Sequence, residues 1–236
     1  MALLADIMER HHGIEITVDQ EHLLMEDLHR IMDINATMNL TRIMSEEAGI
    51  VLHLEDSLTG LPFVEAAPEG RYADLGTGGG FPGIPLHIMT GRKTLLVDSV
   101  QKKARALEGV VEAMGLAENV SAYAGRIEDL GREQRHGFTV LTARALSSLG
   151  ALMELASPLL KHGGRLVCYK AQPAKDEVDT ARRIQKTVGM ALVETAEFSL
   201  SDGSHRCIFV FERQGTPQIE LPRRVGLAQR SPLGVA

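Results

Sequence analysis

The first 70 residues and the rest of the chain carry different apolar patterns. In the first part apolar positions recur at helical spacing, as in Leu24, Leu28, Ile31 and Met32, which fall on one face. The pattern predicts a helix over 2–12 that stops at Gly13, and a second from a cap at Asp19 to about Met38. A third, capped by Ser45, runs from Glu46 to about Leu58. From residue 71 on, short apolar runs alternate with helical stretches. Strands are expected at 71–75, 94–98, 120–124, 138–143 and 165–169, and helices at 82–90, 101–114, 127–134, 146–161 and 175–188. Ser99 is placed to cap the helix that Gly115 ends. Such alternation implies a parallel, doubly wound sheet. The last two runs, 191–200 and 206–212, are joined only by Ser201-Asp202-Gly203-Ser204, so they must pair antiparallel. The expected architecture is α/β. A helical cap spans 1–70, and 71–236 form a sheet domain that ends in a hairpin and a basic tail.

Composition narrows the setting. At 236 residues the chain can bury one sizeable domain plus an appendage. Its two cysteines, Cys168 and Cys207, lie in apolar strand-like runs and read as core thiols of a reducing compartment. No apolar run is long enough to span a membrane, and no basic leader precedes the early acid Asp6. A cytoplasmic protein is expected. The net charge of −6 is uneven, because residues 1–70 hold three Lys/Arg against fourteen Asp/Glu. The remainder is mildly basic, which leaves room for a local phosphate-binding face.

Candidate chemistry centres on Asp74-Leu-Gly76-Thr-Gly78-Gly79-Gly80-Phe81-Pro82-Gly83, with five glycines in the eight residues 76–83. A strand, a glycine turn and a helix start let a ligand approach the backbone closely. Gly78, Gly80 and Gly83 fit the dinucleotide spacing G-x-G-x-x-G. Read instead as Asp74, then Gly76-x-Gly78-x-Gly80, the stretch resembles motif I of the class I S-adenosylmethionine (SAM) methyltransferases. The acid before the first glycine favours this reading, since a carboxylate suits a cationic ligand better than a pyrophosphate. Either family expects a ribose-binding acid near Asp98, 22 residues after Gly76. A parallel sheet closed by an antiparallel hairpin is also the class I methyltransferase order.

Ligands bind beyond the carboxyl ends of such strands. Gly125-Arg126-Ile127-Glu128 would flank adenine there. Thr142-Ala143-Arg144-Ala145 at the fourth strand lacks the Pro-Pro-aromatic signature of amino-methylating enzymes and the cysteine of carbon-5 enzymes. Arg144 suits a phosphate, the SAM carboxylate or guanine O6/N7. His53 and Asp56 share a helix face, and structural docking to the sheet is their expected role. His11-His12 reads as a solvated helix end. No metal site is expected.

Together these residues resemble the 16S rRNA 7-methylguanosine methyltransferase family RsmG, also called glucose-inhibited division protein B. The matching stretches are Asn35…Asn39-Leu40-Thr41, His53-Leu-Glu-Asp56-Ser57 and Asp74 to Pro85. They continue with Asp98-Ser99-x-x-Lys102, Arg126-Ile127-Glu128, Arg144-Ala145, Lys170 and Pro222-Arg223-Arg224…Gly226…Pro232-Leu233. The resemblance implies SAM as cofactor, contacted by Asp74, Gly76, Gly78, Phe81, Ile127, Glu128 and Arg144, with Asp98 at the ribose. It implies 16S rRNA or the 30S subunit as substrate, methylated at N7 of guanine 527 in the 530 loop. Arg144, Lys170, Arg206, Arg223 and Arg224 are the expected RNA contacts, in a chain acting as a monomer. No catalytic acid or base is implied, only positioning, with Arg144 the best candidate. Ile34 and Met38 stand where the family usually has tryptophan and tyrosine, and are expected as core replacements.

Overall fold

In a computed structural model, the structure describes residues 4–38, 43 and 45–235. Seven strands form one sheet: β1 (Tyr72–Leu75), β2 (Thr94–Asp98), β3 (Val120–Ala124), β4 (Phe138–Arg144), β5 (Leu160–Lys170), β6 (Met190–Ser199) and β7 (His205–Arg213). The order is β3-β2-β1-β4-β5-β7-β6. The first five strands are parallel, and β7 pairs antiparallel with both β5 and β6. The chain reverses its direction of travel across the sheet between β1 and β4. At that switch point the loops diverge and leave a crevice at the carboxyl ends of the strands.

Each face of the sheet carries its own apolar layer. On one lie α1 (Leu4–His12), α2 (Val18–Met38), α6 (Gly83–Thr90) and α7 (Gln101–Ala113). Leu24, Leu28 and Ile31 of α2 are buried in one core with Ile84, Leu107 and the outward face of the strands. Ile34 and Met38 pack against that core, as expected of replacements. On the other face α8 (Ile127–Glu133), α9 (Leu149–Ala156) and α10 (Lys175–Val188) pack with the C-terminal segment, whose Leu221 and Ala228 are buried. The two thiols are free and buried, and burial pushes Cys168 up to about 12, so it stays protonated and inert. Among the described residues no helix is long and apolar enough to cross a membrane.

Several local expectations change. The second helix begins at Val18, because Thr17 and Gln20 cap it reciprocally, each taking the other's backbone N–H; Asp19 is inside it. Ser45 does cap the third helix, through Ala48 N–H at 3.3 Å. That helix is not regular, however. It runs α3 (Glu46–Gly49), a π-helical turn (Ile50–Glu55), then α4 (Asp56–Leu58). The wide turn brings consecutive residues His53 to Ser57 into the interior, between the other helices and the sheet. Ser99 caps nothing; Val100 precedes α7, and the Asp98 carboxylate accepts the Val100 N–H at 2.8 Å. α9 ends at Ala156, before the predicted 161, because Pro158 clashes with a continuing turn, and β5 starts at Leu160 in consequence. His12 is not solvated: its side chain is 7% exposed and meets Glu55 at 2.8 Å. Asn39, Leu40, Thr41 and Arg42 lie outside the described residues.

Candidate active site

The glycine turn is built from three left-handed residues, with φ of +72° at Gly76, +59° at Gly78 and +91° at Gly80. Only glycine adopts this run without strain. A Cβ at Gly78 would project into open space, with nothing nearer than the Gly76 carbonyl at 3.9 Å. The missing side chain thus forms a cradle for a ligand. Asp74 lies below the turn, not in it. It is fully buried, accepting the Gly83 N–H at 3.0 Å and the Thr142 hydroxyl at 2.7 Å. Burial raises its pKa, while the Thr142 and Thr77 hydroxyls hold it down. Asp74 therefore braces the turn to the start of α6 and to β4.

Beside the turn is a narrow cleft of about 170 Å³. Gly76, Gly78, Asp98, Ile127 and Glu128 line it, which brings five of the expected cofactor residues together. Asp98 accepts Gly78 N–H at 3.2 Å on one oxygen and Val100 N–H on the other. Each oxygen keeps a lone pair for a pair of hydroxyl donors. Open backbone at Gly78, a carboxylate at the end of β2 and the apolar Ile127 fit an adenosine-bearing cofactor. Leu146 and Gln229 also line the cleft. The sequence reading missed both, and for Gln229 no local signal existed, since only folding brings residue 229 beside residue 76. One oxygen of Glu128 is engaged by the fold: its Oε1 accepts the Gly226 N–H at 2.6 Å.

A second cavity, of about 480 Å³, shares no lining residue with the cleft but lies one residue from it along the chain, at Ala145. Ala145 faces this cavity and Leu146 the cleft, so one turn after β4 divides them. Ala145 has φ of +54°, a strained value for a residue with a Cβ. The cavity wall includes His53, Asp56, Arg144, Lys170 and Arg206. Asp56 bridges the two arginines: Arg144 donates to Oδ2 at 2.9 Å and Arg206 to Oδ1 at 3.0 Å. Arg144 also donates to the Leu52 carbonyl of the π turn at 3.1 Å. The docking expected of Asp56 is thus present, and it ties the two arginines to the N-terminal helices. Phe81 leaves the glycine turn to stack on His53, with ring centres 4.3 Å apart and planes 4° from parallel. Burial, then the nearby Arg144 charge, lowers the His53 pKa to about 3, so the ring is neutral.

The expected RNA contacts divide. Arg144, Arg206 and Lys170 all line the second cavity, Lys170 paired with Glu177 at 2.6 Å. Arg223 lies elsewhere, clamped on both Glu154 oxygens at 2.7 and 2.6 Å, and donating to the Ser231 carbonyl. Glu154 is buried on α9, so this pair anchors the C-terminal segment. Arg224 beside it is exposed.

A family model described as GidB, rRNA small subunit methyltransferase G, matches residues 20–204. The chain is 33% identical to the ribosomal RNA small subunit methyltransferase G of Pseudothermotoga lettingae, over 95% of this chain and 96% of that one. Its counterpart in Deinococcus radiodurans is 37% identical, over 84% and 80% respectively. Among solved structures, an O-methyltransferase from Bacillus cereus in complex with SAH shares the fold. Its TM-score is 0.52 at 15% identity, with 79% of this chain and 90% of that one covered. Geranyl diphosphate methyltransferase in complex with SAM gives a TM-score of 0.53 at 14% identity, covering 67% and 84%. These likenesses place the fold in the class I SAM methyltransferases.

Proposed function

This chain belongs to the GidB family, rRNA small subunit methyltransferase G, a family of SAM-dependent rRNA methyltransferases, and on that premise we propose that it methylates N7 of guanine 527 in the 530 loop of 16S rRNA. The observation that carries the reading is the pair of cavities whose walls take the successive residues Ala145 and Leu146 after β4, one suited to adenosine and one walled by arginines. SAM supplies an electrophilic methyl group on a sulfonium sulfur. Gly76, Gly78, Asp98 and Ile127 would hold it, Glu128 supports the site through the Gly226 backbone, and Phe81 lies outside the cleft, stacked on His53. Asp74 acts from beneath, by shaping the turn. Guanine N7 carries a lone pair and no proton, so the chain need not move a proton. Its task is alignment and exclusion of water. Arg144, held by Asp56 and Leu52 in the wall of the second cavity, is the positioning residue. Lys170 and Arg206 complete the wall, and exposed Arg224 is left for a phosphate. Within this reading residues 1–70 act as a cap on the 71–236 domain, in a cytoplasmic monomer.

The test is transfer of tritiated methyl from SAM to 30S subunits lacking the modification, with naked 16S rRNA in parallel. Label mapped to one 7-methylguanosine in the 530 loop supports the proposal. Label elsewhere in the RNA overturns the site. No label on either RNA, with SAM binding intact, moves the activity to a small-molecule or protein acceptor, the reading that the acidic net charge of −6 favours.

A further inference from the structure

The cavity beside the cofactor cleft has a volume of about 480 Å³, within the range of small-ligand sites. If it receives the acceptor base, as the proposed function requires, it must recognise guanine without covering N7. An arginine on O6 and N7, the usual way to read guanine in a duplex, would block the reacting atom. The Watson–Crick edge is therefore the edge left for recognition. Guanine presents there one acceptor, O6, and two adjacent donors, the N1–H and the N2 amino group. Adenine presents a donor and an unprotonated N1.

The wall of the cavity matches the guanine pattern. Its side chains supply many donors, on Arg144, Arg206 and Lys170, and a single carboxylate, Asp56, among the described residues. The Asp56 oxygens each accept one arginine N–H, at 2.9 and 3.0 Å. A carboxylate has about four lone-pair sites, so one on each oxygen remains. The two guanidinium groups fix the rotamer, and the side chain is 8% exposed, facing the cavity. A rigid, desolvated acceptor pair beside cationic donors is complementary to N1–H, N2–H and O6 together. Toward adenine it would set a lone pair against a carboxylate, with nothing to offset the desolvation.

We propose that Asp56 reads the Watson–Crick edge of the target purine and makes the enzyme select guanine. Asp56 would accept from N1–H and N2–H while an arginine donates to O6. N7 then stays uncovered for the neighbouring cleft, which begins one residue beyond Ala145 at Leu146. In this arrangement Asp56 has two roles: it recognises the base and it holds Arg144 and Arg206.

The experiment separates these roles. Methyl transfer is measured on 30S particles reconstituted with guanosine or with inosine at the target, inosine lacking only the N2 amino group. Wild type is expected to prefer guanosine by roughly 10- to 100-fold in kcat/KM, as for loss of one hydrogen bond to a charged group. In Asp56→Asn that preference should fall to within about 3-fold, because an amide cannot accept on both atoms. Arg206→Ala breaks the other side of the same ion pair and should keep the wild-type preference, whatever its overall rate. Asp56→Glu, which retains the carboxylate, should keep a measurable preference if D56N fails to fold. Wild type that treats both bases alike, or D56N with undiminished preference, overturns the role of Asp56 while leaving rRNA methylation intact. A wild type that labels no guanosine-containing particle removes the acceptor reading itself, and the Asp56 proposal with it.

Discussion

Arg223→Ala separates a buried anchor from an RNA hook. The Arg223 guanidinium donates to both oxygens of Glu154 at 2.7 and 2.6 Å, and the Glu154 side chain is 2% exposed. Removing the arginine leaves a carboxylate in the interior with its charge unbalanced. Breaking one half of such a pair costs about 3–5 kcal/mol. For a chain of this length, each kcal/mol moves the midpoint by about 2–4 °C, so Tm should fall by roughly 6–20 °C. Arg223→Ala combined with Glu154→Leu removes the orphaned charge and should recover most of that loss. Calorimetry on the two singles and the double gives the coupling. Because the anchored segment also carries Gly226 and Gln229 to the cofactor cleft, SAH affinity measured by titration should weaken with Arg223→Ala and return in the double variant. An arginine that merely contacts phosphate behaves otherwise: Tm stays put, and the salt slope of RNA binding drops by about one. Arg223→Ala melting within about 1 °C of wild type would refute the anchor.

Three further outcomes are expected. Gly76→Ala places a Cβ at φ +72° and 2.6 Å from Leu146 Cδ1, on the wall of the cleft, so SAH affinity should drop about tenfold or more; unchanged affinity by calorimetric titration counts against the cleft. His53 is held neutral in the fold down to about pH 3, whereas in the unfolded chain it takes a proton near its ordinary 6.5. Its depressed pKa therefore removes stability as pH falls through that window, by up to about 1.4 kcal/mol per pH unit. His53→Phe lacks this component, and urea unfolding should show the variant gaining on wild type from pH 7 to pH 4; a constant difference over that range rejects it. Glu55→Ala leaves Ser201 N–H, the Ser201 hydroxyl and His12 without their shared buried acceptor. A loss of about 3–5 kcal/mol should follow, with faster amide exchange in the 199–205 turn, and a loss below about 1 kcal/mol would contradict this account.

Period and punctuation along the chain were enough for the sheet. Strands from β1 to β4 fall within a residue or so of their expected runs: β1, β2 and β4 are buried on both faces and so are largely apolar, whereas β3, at the sheet edge, buries only Val120 fully and is marked by its flanking turns instead. The polar turn 201–204 determined the antiparallel hairpin by its shortness alone. The glycine turn was legible because positive φ is a local demand that only glycine meets cheaply. What sequence could not supply were relations between distant positions. That Asp74 turns inward to Thr142, that His12 and Ser201 share Glu55, and that Arg223 closes on Glu154 depend on packing across 43 to 146 residues of chain. The π turn has no local signature either; it arises where one helix is squeezed between the N-terminal helices and the sheet, and it sets Glu55 and Asp56 against different partners. Local sterics and hydrophobic period thus specified the elements and the cofactor turn. Only the tertiary structure decided which charges face a ligand and which are used up holding the fold together, because a charge finds its partner through space and leaves no spacing in the chain to announce it.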